Sequence, residues 1–239
     1  MNEYDLNEQR DEYGNFVDRA EVTNSFLRKV FLNMIVGILI TAAVPAYVFF
    51  FNQALLYTIV PYFKIITFAE LGLVFFLSLG INKMSSGTAR LMFFIYSLMN
   101  GILFSSLAFV FEPISILYTL GVALVMFVVI AVYGYTTSED LSHYGKYLMT
   151  GLISIIIMSV INFFIKAPML YWAGTILGIV IFSALIAYDV NRIKRLAYNI
   201  ADGDREVIEK IGIIGALNLY LDFINLFLYL LRIFGKKRR

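Results

Sequence analysis

The stretch that decides the fold runs from Gly215 to Arg232 and reads GALNLYLDFINLFLYLLR. Its small and polar residues recur at alternating intervals of three and four, at Gly215, Asn218, Asp222, Asn225, Tyr229 and Arg232. That spacing places all six on one narrow stripe of an α-helix. The residues between them are apolar or aromatic, so the stretch predicts a membrane-spanning helix with a single polar stripe, called the polar seam below.

The polar seam cannot face lipid, because each of its polar groups would lack a hydrogen-bond partner there. We therefore expect it to face the interior of a helix bundle or a water-filled path. Asn218 and Asn225 also fit a second interpretation, in which amides only hold helices together by hydrogen bonds. Asp222 fits that interpretation less well, since such bonding needs no ionisable group. A charged residue at the centre of a span costs at least about 2.5–3.5 kcal/mol, which favours a functional role.

The composition excludes a soluble domain. Of the 239 residues, 60% are hydrophobic and 15% are charged, and the mean hydropathy is +0.80. Soluble domains are roughly 45–50% apolar and about 25% charged. The apolar runs approach the ~20 residues that a bilayer-spanning helix needs, and they lack the alternation of a membrane β-barrel. The sequence therefore predicts an all-α, multi-pass integral membrane protein.

We predict seven spans in one compact bundle with short connections. They lie at residues 30–51, 58–81, 91–111, 114–135, 147–166, 168–190 and 211–234. A polar N-terminal tail at 1–29 precedes the seven-helix transmembrane domain at 30–235, and a basic tail at 236–239 follows it.

The orientation follows from the Lys and Arg residues that flank the spans. An N-terminus on the inner side places more of them inside than outside. The basic C-terminal tail then lies on the outer side, against the rule. Either the last helix crosses the membrane regardless, or it re-enters and the tail returns inside.

Two further acids lie in apolar surroundings. Asp189 ends the predicted sixth span, where it is either a functional carboxylate or a helix-end partner of Arg192. Glu70 lies midway along the second span, and it either lines the same cavity as Asp222 or is a protonated structural carboxyl group. In the sixth span, Gly174 and Gly178 have the GxxxG spacing of close helix packing.

Several chemistries are disfavoured. The chain has no cysteine and one histidine, His143, so neither a thiolate site nor a multi-histidine metal centre is expected. The acids Asp202, Asp204, Glu206 and Glu209 lack the EF-hand spacing and are expected to form a solvated loop. No nucleophile–base pair is evident, so we do not expect an enzyme.

The sequence resembles the Bax inhibitor-1 family, also called the transmembrane Bax-inhibitor-motif family. Its two signature segments resemble FSALIAYD at 182–189 and ALNLYLDFINLFLYLLR at 216–232. The segment GYTTSEDLSHYGKYLM at 134–149 and the entry FLRKVF at 26–31 are also similar to the family. The likeness covers the chain from about residue 24 onward.

The resemblance implies a seven-helix bundle whose C-terminal helix is central. It implies that Asp189 and Asp222 form a close pair that senses pH and gates a calcium leak. Two carboxylates are fewer ligands than Ca²⁺ prefers, so we expect the pair to be a weak Ca²⁺ site. Asn218, Asn225, Tyr229 and Glu70 are then expected as secondary pore-lining residues. A basic latch residue pairs with the two aspartates in some relatives, and the candidates here are Lys83, Arg90 and Arg192.

The short form and the absence of organellar targeting or retention features favour a bacterial-type member in the cytoplasmic membrane. The expected partners are the lipid bilayer, calcium ions, protons and a membrane protease, without nucleic acid or a tightly bound cofactor. The function expected first is a pH-sensitive calcium-leak channel gated by a proton-sharing pair of aspartates. One alternative is a regulatory membrane protein that binds a membrane-bound protease or a stress-response complex. Another is a proton-coupled transporter in which the two aspartates relay protons.

Overall fold

The structure is a computed structural model that describes residues 8–10, 16–199 and 204–238. Within those ranges it contains one short hairpin and nine α-helices. The hairpin pairs β1 (Glu8–Arg10) with β2 (Phe16–Asp18) in antiparallel fashion. The helices are α1 (Arg19–Phe50), α2 (Gln53–Ile59), α3 (Phe63–Gly80), α4 (Ser86–Phe104), α5 (Leu107–Val110), α6 (Pro113–Thr136), α7 (Gly145–Ile165), α8 (Pro168–Asn199) and α9 (Arg205–Phe234). Three 3₁₀ turns, Val60–Tyr62, Ile81–Lys83 and Leu141–Tyr144, lead into or out of these helices.

Among the described residues, seven helical segments are long and apolar enough to cross a membrane, which confirms the predicted fold class. They are Glu21–Phe50, Gln53–Gly80, Ser86–Val110, Pro113–Thr136, Leu141–Ile165, Pro168–Tyr198 and Arg205–Phe234. The segment at Arg205–Phe234 is the most buried, with 67% of its apolar window buried against at most 39% in any other. That burial is what a helix enclosed by other helices requires.

Several helices extend beyond the predicted spans. Helix α1 begins at Arg19 rather than at residue 30, α8 continues to Asn199 rather than ending at residue 190, and α9 begins at Arg205 rather than at residue 211. The apolar pattern marks only the part of a helix inside the hydrocarbon. Backbone hydrogen bonding continues into polar turns, whose Lys, Arg and Glu side chains can reach water.

The chain forms two compact units. The first contains residues 1–107 and 193–217, and the second contains residues 108–192 and 218–239. Helices α8 and α9 therefore contribute to both units.

In the first unit, α1 packs along α4 through small residues. A side chain added at Gly37 would clash with the ring of Phe93, and one added at Gly101 would clash with Val44. The Thr41 hydroxyl group donates to the backbone oxygen of Ser97 at 2.9 Å. These contacts bring the two helix backbones close together.

The start of α9 is tied to the start of α4 within the first unit. The carboxylate of Glu206 accepts hydrogen bonds from the backbone N–H of Ser86 at 2.6 Å and from its hydroxyl group at 2.9 Å. The same hydroxyl group lies 3.0 Å from a carboxylate oxygen of Glu209. The expectation of a solvated acidic loop is therefore wrong for Glu206 and Glu209, which are helical and partnered, while Asp202 lies outside the described residues.

In the second unit, the C-terminal segment is bound to the residues that begin α6. The backbone N–H of Glu112 donates to Lys236 O at 2.8 Å, and that of Arg238 donates to Val110 O at 2.9 Å. The Lys236 ammonium group also lies 3.0 Å from the Glu112 carboxylate. Because α9 is unbroken over 30 residues, about 45 Å, it is long enough to cross the membrane rather than re-enter it.

Candidate functional site

Asp189 and Asp222 come together in the second unit. Asp189 lies on α8 and Asp222 on α9, with exposed fractions of 8% and 7%. Their carboxyl groups lie within hydrogen-bonding range of each other. Asp189 is followed by ten more residues of α8, so it is not the helix-end residue that its sequence context allowed.

The two carboxyl groups meet because α8 and α9 are antiparallel neighbours. In the second unit, a side chain added at Gly178 would lie 2.6 Å from the ring of Tyr229, on the same two helices as the aspartates. Counted from Arg192 and from the predicted start of the last span at residue 211, the two aspartates would differ in depth by about 12 Å. The longer α8 and α9 remove this offset.

A cavity of about 600 Å³ adjoins the pair. Its walls come from α7, α8 and α9, with mainly apolar side chains on α7 such as Leu152 and Ile155. The polar seam contributes four of its six members: Asn218, Asp222, Asn225 and Tyr229. This part of the seam therefore lines a cavity that is partly open at the protein surface.

The two carboxyl groups of the pair have different electrostatic surroundings. Asp222 Oδ2 is buried and has no hydrogen-bond partner among the described residues. Asp189 interacts electrostatically with the guanidinium group of Arg192, which is itself exposed and lines the same cavity. Asp189 therefore has a cation nearby, while Asp222 has an oxygen with no donor among the described residues.

The remaining seam residues are held by local contacts. The amide nitrogen of Asn225 donates to Leu221 O one turn earlier at 2.8 Å. The ring of Tyr229 stacks on Phe182, with ring centroids 5.8 Å apart. The guanidinium group of Arg232 lies over the Tyr229 ring, 4.6 Å from its centroid. Arg232 is exposed, so the seam ends at the surface.

Asn191 is a residue of the site that the sequence analysis did not single out. It is 1% exposed and holds the turn after α6 against α8. Its amide nitrogen lies 3.3 Å from the backbone oxygens of Gly134 and Glu139, and its amide oxygen accepts from the backbone N–H of Leu141 at 3.3 Å. Asn191 thereby fixes the backbone two residues from Asp189.

Glu70 lies in the first unit. It is partly exposed on α3, and its carboxyl group hydrogen-bonds the hydroxyl group of Tyr96 on α4. Tyr96 in turn hydrogen-bonds Asn100. Glu70 thus belongs to a polar cluster within the first unit. The cavity at the aspartate pair is lined by residues of the second unit.

The three latch candidates differ in their surroundings. Arg192 lines the aspartate cavity. Arg90 belongs to the first unit, where its Nη2 lies 4.0 Å from a carboxylate oxygen of Glu209. Lys83 is exposed in the turn after α3. Arg192 therefore lies beside Asp189.

The site offers few ligands to a metal ion. Among the described residues, no cluster of three or more His, Cys, Asp or Glu side chains is arranged to hold one. Two carboxylates alone fall well short of the six to eight oxygens that Ca²⁺ takes in tight sites. Amides of the seam and water would have to complete any coordination.

The chain is similar to one protein family and to several bacterial proteins over most of its length. The family described as inhibitor of apoptosis-promoting Bax1 matches residues 23–239. An uncharacterized protein of Borreliella burgdorferi is 41% identical over 220 residues, which cover 91% of this chain and 94% of that protein. The inner membrane protein YbhL of Escherichia coli is 41% identical over 218 residues, covering 90% and 92%. An uncharacterized protein of Caulobacter vibrioides is 31% identical over 236 residues, covering 92% and 94%.

Proposed function

The chain belongs to the Bax inhibitor-1 family, and on that premise we propose that it is a pH-sensitive calcium-leak channel gated by Asp189 and Asp222. One observation carries the proposal. Two carboxyl groups on different helices lie within hydrogen-bonding range, both buried, at the wall of a cavity of about 600 Å³. Buried ionisable groups inside a membrane protein are expensive and are a mark of ion and proton pathways.

The closed state holds one proton between the two carboxyl groups. The protonated group donates an O–H···O bond to the ionised one, and that bond joins α8 to α9. Bonds of this kind are roughly twice as strong as bonds between neutral groups. Because the two groups titrate together, the proton belongs to the pair rather than to either residue.

The open state follows when the proton leaves. Two like charges 4 Å apart repel by about 4 kcal/mol at an effective dielectric constant near 20. That is comparable to the few kcal/mol that separate two conformations of a protein, so losing the proton shifts the population toward separated helices. Flux is therefore expected to rise as the pH rises.

The separated carboxylates then form a weak cation site. Asn218 and Asn225 on the same face of α9 add amide oxygens, and water completes the shell. Weak coordination suits conduction, because an ion must leave the site as readily as it enters. Calcium ions and protons are thus the proposed partners of the pair, and Arg192 is the proposed competitor of a cation for Asp189.

We place the protein in the bacterial inner membrane. The seven apolar helices require a bilayer, and the E. coli relative is named an inner membrane protein.

Calcium flux into proteoliposomes tests the proposal. We expect the wild-type chain to pass calcium without an imposed pH gradient, and Asp189→Asn or Asp222→Asn to lose most of that flux, because asparagine keeps a hydrogen bond but not the charge. Glu112→Gln is the matched control, since Glu112 pairs with Lys236 away from the cavity. Equal flux in all four proteins would overturn the proposal, and uptake that needs a proton gradient would favour a transporter.

A further inference from the structure

A second cavity, of about 410 Å³, lies within the first unit. It is bounded by residues 21–33 of α1, by residues 205–212 of α9 and by Arg90 in the second turn of α4. Five charged residues line it: Lys29, Arg90, Arg205, Glu21 and Glu209. We call it the basic cavity, because its cations outnumber its carboxylates.

The carboxylates of the basic cavity do not neutralise it. Glu209 is shared between two arginines, with its oxygens 4.0 Å from Arg90 Nη2 and 3.5 Å from Arg205 Nε. Glu206, the neighbouring acid, is turned to Ser86 and Lys210 and is not part of the wall. Three cations therefore share two carboxylates.

One hydrogen-bond donor of Arg90 lacks an acceptor among the described residues. Its Nε is buried and has no hydrogen-bond partner among the described residues. A buried donor to which the protein offers no acceptor costs free energy of the order of a hydrogen bond. The planar guanidinium fork binds two oxygens of one anion at once, and phosphate matches that geometry.

The helix directions add to the attraction for an anion. Helices α1 and α9 both begin at this cavity, and the first turn of a helix carries partial positive charge on its free N–H groups. The beginning of a membrane-spanning helix also lies near the level of lipid headgroups. Basic pockets between such helices are suited to anionic headgroups.

We infer that the basic cavity binds a phosphate group, presented either by an anionic lipid headgroup or by soluble phosphate. Arg90 is the main ligand, and Lys29 and Arg205 add charge from α1 and α9. The bound phosphate completes the hydrogen bonding of Arg90 and joins the starts of three helices. This role is separate from the aspartate pair and does not depend on calcium flux.

Native mass spectrometry of the full chain with added lipid tests the inference. We expect phosphatidylglycerol to bind in preference to phosphatidylcholine, and Arg90→Gln to weaken that binding roughly tenfold or more, as the loss of a charged hydrogen bond implies. Lys29→Gln should weaken it as well, and this variant leaves the contact between Arg90 and Glu209 in place if Arg90→Gln fails to fold. Arg28→Gln is the matched control, because Arg28 is exposed on α1 but does not line the cavity.

A second experiment distinguishes a lipid headgroup from soluble phosphate as the source of the bound phosphate group. Thermal unfolding in detergent compares inorganic phosphate with chloride at equal ionic strength, since a ligand of the folded state raises the unfolding temperature. Stabilisation by phosphate that is lost in Arg90→Gln supports a soluble anion, whereas selective phosphatidylglycerol binding that is lost in Arg90→Gln supports a lipid. The inference is overturned if neither ligand distinguishes the wild type from Arg90→Gln and Lys29→Gln.

Discussion

Replacing Gly178 with alanine measures how closely α8 and α9 approach beside the aspartate pair. The new Cβ atom would lie 2.6 Å from Cε1 and Cζ of Tyr229 and 2.7 Å from Cδ1. The ring cannot easily move aside, because it stacks on Phe182 and lies under the guanidinium group of Arg232. Overpacking of this kind costs about 1–3 kcal/mol. Alanine recovers only about 0.5–1 kcal/mol of that through its better helix propensity.

We therefore expect Gly178→Ala to lower the free energy of unfolding by up to about 2.5 kcal/mol. Reversible unfolding in mixed detergent micelles provides the measurement. Gly174→Ala, one turn earlier on α8, is the matched control. Among the described residues, its Cβ atom would meet only the sulfur of Met158, at 3.3 Å, and a flexible methionine can yield. If the two variants are equally stable, α8 and α9 are not held as close as the structure has them.

Two further predictions concern the second unit. Asn191→Leu should lower the free energy of unfolding by about 1–3 kcal/mol, because the backbone groups of Gly134, Glu139 and Leu141 lose a buried partner. Chemical denaturation measures this change. An Asn191→Leu variant as stable as the wild type would contradict the assigned contacts. Single cysteines at Lys237 and Lys166 should react with a membrane-impermeant maleimide from the same side, and one at Glu139 from the opposite side. The reason is that α9 is long enough to cross the membrane and that the segment after it binds the residues just before α6. The chain has no native cysteine, so each label is unique. Labelling of Lys237→Cys on the side of Glu139→Cys would contradict the crossing.

The features of the fold that depend on local sequence patterns could be predicted from the sequence. Seven apolar runs of sufficient length identify the spans, and the three-and-four spacing of Asn218, Asp222 and Asn225 shows that one face of the last helix avoids lipid. That spacing is a property of a single helix, so it can be read without knowing the neighbours of that helix.

Contacts between distant residues could not be predicted in the same way. The depth of Asp189 relative to Asp222 depends on where α8 and α9 end, and hydropathy marks the hydrocarbon rather than the helix ends. Tyr96 as the partner of Glu70 and Ser86 as the partner of Glu206 lie on other helices, and no local pattern connects them. Asn191 resembles any polar residue near a helix end, although it holds three backbone groups.

The glycines of α8 could likewise be predicted only in part. The spacing of Gly174 and Gly178 predicts close packing, but not which helix lies opposite. In the structure Gly178 meets Tyr229 of α9, whereas Gly174 meets Met158 of α7. The partner is set by the rotation and register of α8, which a spacing of four residues does not specify.

We propose that a proton shared between Asp189 and Asp222 controls ion passage. Calcium flux through proteoliposomes, measured from mildly acidic to mildly alkaline pH with equal pH on both sides, tests it most directly. We predict that the wild-type flux rises with pH, because the pair loses its proton and its charges repel. Asp189→Asn and Asp222→Asn should both give low flux that does not change with pH, while Glu112→Gln follows the wild type. A pH dependence that persists unchanged in both asparagine variants would contradict the account.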